Sequence, residues 1–201
     1  MPPLSPSFPA REAGRSISMV RLGDLDSVWQ DPQAKTQAWF CRRLPVRVDR
    51  PLLEELKRLA GEGEGRNVRL CLHEAPGASF HDMIILEHPG RYYRPHKHPA
   101  KGESYHVIEG SMGVLIFDDE GRLVDACRLS PEGTVIYRVG AGTYHAVLPL
   151  SSPIIYHESK VGPFLGEGDS VYPDWAPDGR DAQAVIAYTE RLRSALDALH
   201  Q

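Results

Sequence analysis

Cysteine is scarce in this chain. Cys41, Cys71 and Cys127 are the only three in 201 residues, widely spaced and without a CxxC pair. An odd, dispersed set excludes a disulfide framework or a thiolate zinc knuckle, and leaves buried reduced thiols in a cytoplasmic protein as the expectation. Long apolar runs are missing, so no membrane-spanning helix is expected. The first residues, MPPLSPSFPAREAGR, lack the apolar core of a secretory signal. Positive charge is not in excess either. Lys and Arg number 23 against 27 Asp and Glu, a net charge of −4 with no basic stripe, which argues against a nucleic-acid partner. A phosphate loop, GxGxxG, HExxH, a nucleophile elbow and a Ser-His-Asp order are all absent.

What is present is an average globular composition, 41% hydrophobic and 25% charged. Residues 1–18, rich in proline and serine, read as a flexible leader. Residues 19–66 form an N-terminal segment with one helix. Val20, Leu22, Trp39, Phe40 and Cys41 suit short edge strands or segments laid over a core. Asp49-Arg50-Pro51 then opens the helix, whose stripe is Leu52, Leu53, Leu56 and Leu59. The run GEGEG at 61–65 stops it.

From residue 67 the period changes to two. Short β-branched or aromatic segments recur between turn residues as far as 161, which predicts a sandwich or barrel of antiparallel strands. Residues 162–180 read as a Gly/Pro/Asp loop anchored across the barrel by Phe164, Tyr172 and Trp175, with Trp175 as clamp or lid. Residues 181–201 predict a last helix capped by Asp181, with a stripe of Val185, Tyr188, Leu192, Ala195, Leu196 and Leu199. That stripe suits packing on the barrel or on a second copy.

The segment Gly90–Gly110 carries the chemistry. Taken as a strand over Tyr92–His98, it turns His96 and His98 to one face, with Arg94 beside them. Glu103 starts the next strand, and His145 arrives from a later one behind the GAGT turn. Three imidazoles and a carboxylate suit a divalent ion such as Fe, Mn, Zn, Ni, Co or Cu. His106 should face away from Glu103 by alternation.

The spacing Gly90, His96-x-His98, Glu103, Gly110 resembles the first cupin motif at every fixed position. The second motif fits in part. Gly142 and His145 match, while Gly140 stands where proline is usual and Pro149 replaces an asparagine. Within that superfamily, RPHKHPAKGE, VIEGSMGVLIFDDEGRL and YPDWAPDG, with Arg69 and His73 in VRLCLHE, resemble the WbuC family of cupin-fold metalloproteins over roughly residues 67–178. The resemblance implies an all-β, double-stranded β-helix (jelly-roll) barrel with the metal in its lumen, residues 67–161 forming the barrel. It also implies a homodimer and, because the family is named for a protein encoded with O-antigen genes, a role in surface-polysaccharide metabolism.

Around the four metal ligands, Arg94 either pairs with Glu103 or another acid or binds a substrate anion. Lys101 is a loop lysine at the mouth, solvated or touching substrate. Tyr105 is either a packed aromatic or an acid, and His73 and Arg69 line one end of the pocket or make structural hydrogen bonds. The expected function is a metal-dependent enzyme acting on a small polar molecule such as a sugar or sugar nucleotide, of isomerase or epimerase type. An Fe(II) dioxygenase and a metal-stabilised binding module are the rivals.

Overall fold

The computed structural model describes residues 19–34, 36–62 and 66–198. The expected leader at 1–18, residues 63–65 of the Gly/Glu run, and Leu199 lie outside the described residues. In chain order the elements are β1 (Val28–Asp31), β2 (Gln37–Cys41), α1 (Arg50–Glu62), β3 (Val68–Cys71), β4 (Phe80–Glu87), β5 (Glu103–Glu109), β6 (Met112–Phe117), β7 (Leu123–Leu129), β8 (Ile136–Val139), β9 (Tyr144–Pro149), β10 (Ile154–Val161) and α2 (Ala182–Ala198).

Two sheets result. One runs β1-β2-β3-β4-β10-β5-β8, the other β7-β6-β9. His96 bridges to His145 on β9, which adds a fourth, two-residue rung to the smaller sheet. The barrel proper is therefore β4-β10-β5-β8 facing the 96–97 rung, β9, β6 and β7. That is the strand order of a double-wound jelly roll, the expected fold. β1, β2 and β3 extend the larger sheet, with β2 and β3 parallel across α1.

The core falls into three layers. Leu52, Leu53 and Leu56 of α1 pack on Leu70, Ile84 and Leu86 outside the larger sheet. Met83, Ile85, Tyr105, Val107, Met112, Val114 and Tyr156 fill the lumen. Tyr188, Leu192 and Leu196 of α2 cover Leu115, Ala146 and Leu148 outside the smaller sheet, so the last stripe does pack on the barrel. Both helices start where the sequence places them. Asp49 Oδ1 accepts from the Leu52 N–H at 3.0 Å, and Asp181 Oδ1 accepts from Gln183 and Ala184 at 2.9 and 3.2 Å. Cys41 and Cys71 are buried and Cys127 is half-buried, all three as free thiols.

Val20 and Leu22 are buried as segments laid over the core. Two expectations change. The strand expected over Tyr92–His98 shrinks to the pairs His96↔His145 and Lys97↔Val171. Pro95 and Pro99 lack N–H donors on either side of it and cap its length. Phe164 and Tyr172 do not anchor the late loop, being 56% and 51% exposed. Trp175 does: its ring packs on Phe117 and Tyr144, and its Nε1 donates to the Asp119 carbonyl at 3.1 Å.

The closing glycine of the metal-ligand segment has a structural reason. Gly110 sits at φ +82° between β5 and β6, and a Cβ there would lie 2.2 Å from Ser151 Oγ and 2.9 Å from the Pro153 carbonyl. Gly110→Ala is expected to cost about 1–3 kcal/mol, read as a lower urea midpoint at unchanged slope.

Candidate metal centre

His96, His98, Glu103 and His145 converge, each offering one ligand atom within 4.8 Å of the others. Their elements explain the convergence. The short rung brings His96 and His98 in with the same parity, as alternation predicts. Glu103 opens β5 in the facing sheet, and His145 is held by reciprocal backbone bonds to His96, 2.9 and 3.0 Å long. Gly142 makes the preceding turn at φ +73°, its N–H donating to the His98 carbonyl at 2.8 Å.

Each imidazole is oriented by a backbone carbonyl. His96 Nδ1 lies 3.2 Å from the Arg94 oxygen, His98 Nδ1 2.5 Å from the Asp169 oxygen and His145 Nδ1 2.9 Å from the Thr143 oxygen. A carbonyl only accepts, so all three Nδ1 atoms carry hydrogen and all three Nε2 atoms are left for a ligand. The Nε2 atoms of His98 and His145 are buried without a hydrogen-bond partner of good geometry. Orphaned imidazole lone pairs around a buried carboxylate are what a divalent ion needs, so the residues fit a metal.

The carboxylate sits among the imidazoles and one ammonium. Glu103 lies 2.5 Å from His145 Nε2, 3.4 Å from His98 Nε2 and 3.5 Å from Lys160 Nζ. Burial works to raise its pKa, but the two imidazoles and Lys160 hold it well below the usual carboxylate range. His98 responds in kind: burial lowers it, and Glu103 with the Asp169 carbonyl outweighs that and raises it. His96 is pushed down to about 4 by burial and by His145. Lys160 is half-buried; desolvation works to lower its pKa, and Glu158 and Glu103 outweigh that and keep it charged.

The other expected site residues are distributed unevenly. Tyr105 is buried and its hydroxyl donates to Glu103, while burial and the Glu103 charge drive its pKa far up. It holds the carboxylate in place. Lys101 is not solvated, for its ammonium pairs with Asp169. Among the described residues Arg94 makes no ion pair: its guanidinium donates to the Pro173 carbonyl and lies 5.6 Å from the Tyr172 ring centroid. Arg69 sits on β3 with its Nε buried and unpartnered. His73 lies apart from the ligand cluster. It stacks on His81 with centroids 4.3 Å apart and takes a hydrogen bond from the Asp82 N–H at 3.2 Å. His106 is exposed and outward-facing as expected.

Two residues at the centre escaped the sequence reading. Lys160 was accessible to it, since Tyr156, Glu158 and Lys160 alternate along one strand face. Asp169 was not. It lies 71 residues beyond His98, in a turn at Gly166–Asp169 with no motif of its own. Its carbonyl orients His98 while its carboxylate holds Lys101 and accepts from the Leu165 N–H at 3.3 Å. Asp169→Ala is expected to weaken metal binding about 10-fold or more, measured by competition with a chromophoric chelator.

The domain of unknown function DUF6016 matches residues 48–129. No curated protein matches in sequence. Among solved structures, the capsular polysaccharide assembling protein CapF from Staphylococcus aureus superposes at a TM-score of 0.45 with 14% identity, over 54% of this chain and 29% of that one. Oxalate decarboxylase from Bacillus subtilis superposes at 0.43 with 19% identity, over 63% and 32%. Protein SO0799 from Shewanella oneidensis superposes at 0.41 with 14% identity, over 60% and 74%. The chain thus spans about a third of the CapF and decarboxylase chains. No helix among the described residues is long and apolar enough to cross a membrane.

Two surface grooves lie away from the ligands. One of about 550 Å³ is lined by Gln37, Asn67, His88 and Arg91, and one of about 480 Å³ by Leu53, Ile84, His106 and His157. The metal centre instead lies inside the barrel.

Proposed function

We propose that this protein is a metal-dependent enzyme acting on a small polar molecule such as a sugar or sugar nucleotide, by isomerisation or epimerisation. The observation that carries the reading is the convergence of three tautomer-fixed imidazoles and one buried carboxylate on a single point. Fe, Mn, Zn and Ni are the candidate ions. A divalent ion bound there supplies Lewis acidity, polarising a carbonyl or hydroxyl. The protein's own groups do the rest. Tyr105 and Lys160 fix Glu103, and the backbone carbonyls fix the rings. His73 stays apart from the ligands, its Nδ1 taken by the Asp82 N–H, and carries no proton in this reading. The WbuC resemblance supports a place in surface-polysaccharide metabolism, the cupin resemblance a homodimer, and the dispersed free cysteines a cytoplasmic setting.

Elemental analysis of protein purified without a chelating tag, followed by incubation with sugars in deuterated water, tests this. About one equivalent of metal and solvent deuterium incorporated into a sugar are expected. Iron with substrate-dependent oxygen uptake would replace the isomerase reading by a dioxygenase. Metal that raises the melting temperature without any turnover would make the protein a binding module.

A further inference from the structure

We propose that Arg94 and Tyr172 form a recognition shelf beside the metal centre, and that the substrate is a ring-bearing anion, a sugar acid or a sugar phosphate. The inference rests on the metal-enzyme reading and names the substrate class of that site.

The centre is not equally closed on all sides. His98, Glu103 and His145 are buried, and His96 is the half-buried ligand. The Tyr172 ring stands on that side, its centroid 6.0 Å from the His96 ring and tilted at 45°. It is not free to drift, because the neighbouring Val171 exchanges backbone bonds of 2.9 and 3.0 Å with Lys97, one residue after His96. A tyrosine fixed next to a metal ligand with half its surface in water fills no core position. It offers a flat apolar face of the kind that ring ligands stack on, with a polar hydroxyl edge.

Arg94 completes the shelf. Its guanidinium lies over Tyr172, and its own carbonyl orients His96. The other cations near the centre are already paired: Lys97 with Asp119, Lys101 with Asp169, Lys160 with Glu158 and Glu103. Among the described residues no carboxylate lies within 4.0 Å of Arg94. Its one bond is to the Pro173 carbonyl, and its Nε is buried without a partner. Asp178 feels the Arg94 charge only through space, without an ion pair, its closer partner being Arg180. A half-buried guanidinium with unused donors and no acid in contact suits an anion, and its planar fork matches a carboxylate or a phosphate. Arg69 also makes no ion pair among the described residues, but it lies on β3 and has no contact with Tyr172 or His96 of the kind Arg94 makes.

The test uses the metal-loaded full chain and calorimetric titration with D-glucuronate, D-glucose 6-phosphate and neutral D-glucose. At least one of the two anions is expected to bind about tenfold or more tighter than glucose, and which one does separates carboxylate from phosphate. Arg94→Gln keeps a donor for the Pro173 carbonyl and removes the charge, so it should erase the preference with metal content unchanged. Tyr172→Ala, at an exposed position, should weaken both the anionic and the neutral sugar. Equal binding of glucose and both anions, no binding by any of the three, or a preference that survives Arg94→Gln with metal in place, would overturn the shelf while leaving the metal centre intact. Wild-type protein that holds no metal would overturn the metal reading and this inference with it.

Discussion

Glu103→Gln protein is expected to lose at least about 100-fold in metal affinity, more than the loss typical of an orienting group. Glu103 supplies the only carboxylate in the ligand set, and its charge is what an ion would replace as counterpart to the surrounding imidazoles and Lys160. The glutamine keeps the volume and the acceptor for the Tyr105 hydroxyl. Glu103→Ala would be a poorer probe, because breaking a buried charge pair costs about 3–5 kcal/mol on its own. His145→Ala should behave like Glu103→Gln, since its Nε2 is buried in the same cluster beside Glu103. His106→Ala should keep its metal, for His106 is exposed on the opposite face of β5. Equal metal content in the three purified variants would remove the ligand assignment.

Glu87→Gln is expected to stabilise the protein by about 3 kcal/mol at pH 8 and by nothing near pH 4.5. Glu87 is 6% exposed on β4, with Oε1 accepting from the Tyr93 hydroxyl at 2.5 Å and Oε2 buried without a partner. Burial pushes its pKa up to about 7 against the opposing Tyr93 bond. Between pH 4.5 and 7 the folded state therefore keeps a proton that the unfolded chain releases, so stability falls as pH rises through that window. The glutamine mimics the protonated acid and removes the penalty. His73 works with the opposite sign. Burial first, then His81, holds it down to about 4, so the unfolded chain takes up a proton between pH 6.5 and 4 that the folded state refuses. Stability is lost there as pH falls. The two slopes offset one another in wild type, and Glu87→Gln should expose the acid limb. Urea titrations of both proteins from pH 4.5 to 8 give the difference directly. A constant offset across that range would rule out the titration of Glu87 as its source.

Much of this was legible because strands report parity. Alternation put His96 and His98 together, sent His106 outward, and set Glu103 and Tyr105 on one face of β5, where they bond. The helices were legible from their caps and leucine stripes. What parity does not report is how loops fold back. Phe164 and Tyr172 looked like anchors because aromatics in a loop usually bury. Here backbone bonds hold the loop instead, through Gly162 to Ser79 and Val171 to Lys97, leaving both rings in water. Arg94 followed the parity rule but left the ligand cluster, since its long side chain reaches Pro173. Asp169 combines both difficulties, being remote in sequence and acting on His98 through its carbonyl, a group that every residue type possesses.

That carbonyl also sets an order of events. All four ligands have been synthesised once residue 145 is made, and the barrel strands are complete at Val161. A growing chain stopped there would possess its ligands but neither the acceptor that turns His98 nor the Val171 partner that steadies the rung carrying His96. The strands carry the ligands, but the segment after them sets how two of the three imidazoles are held.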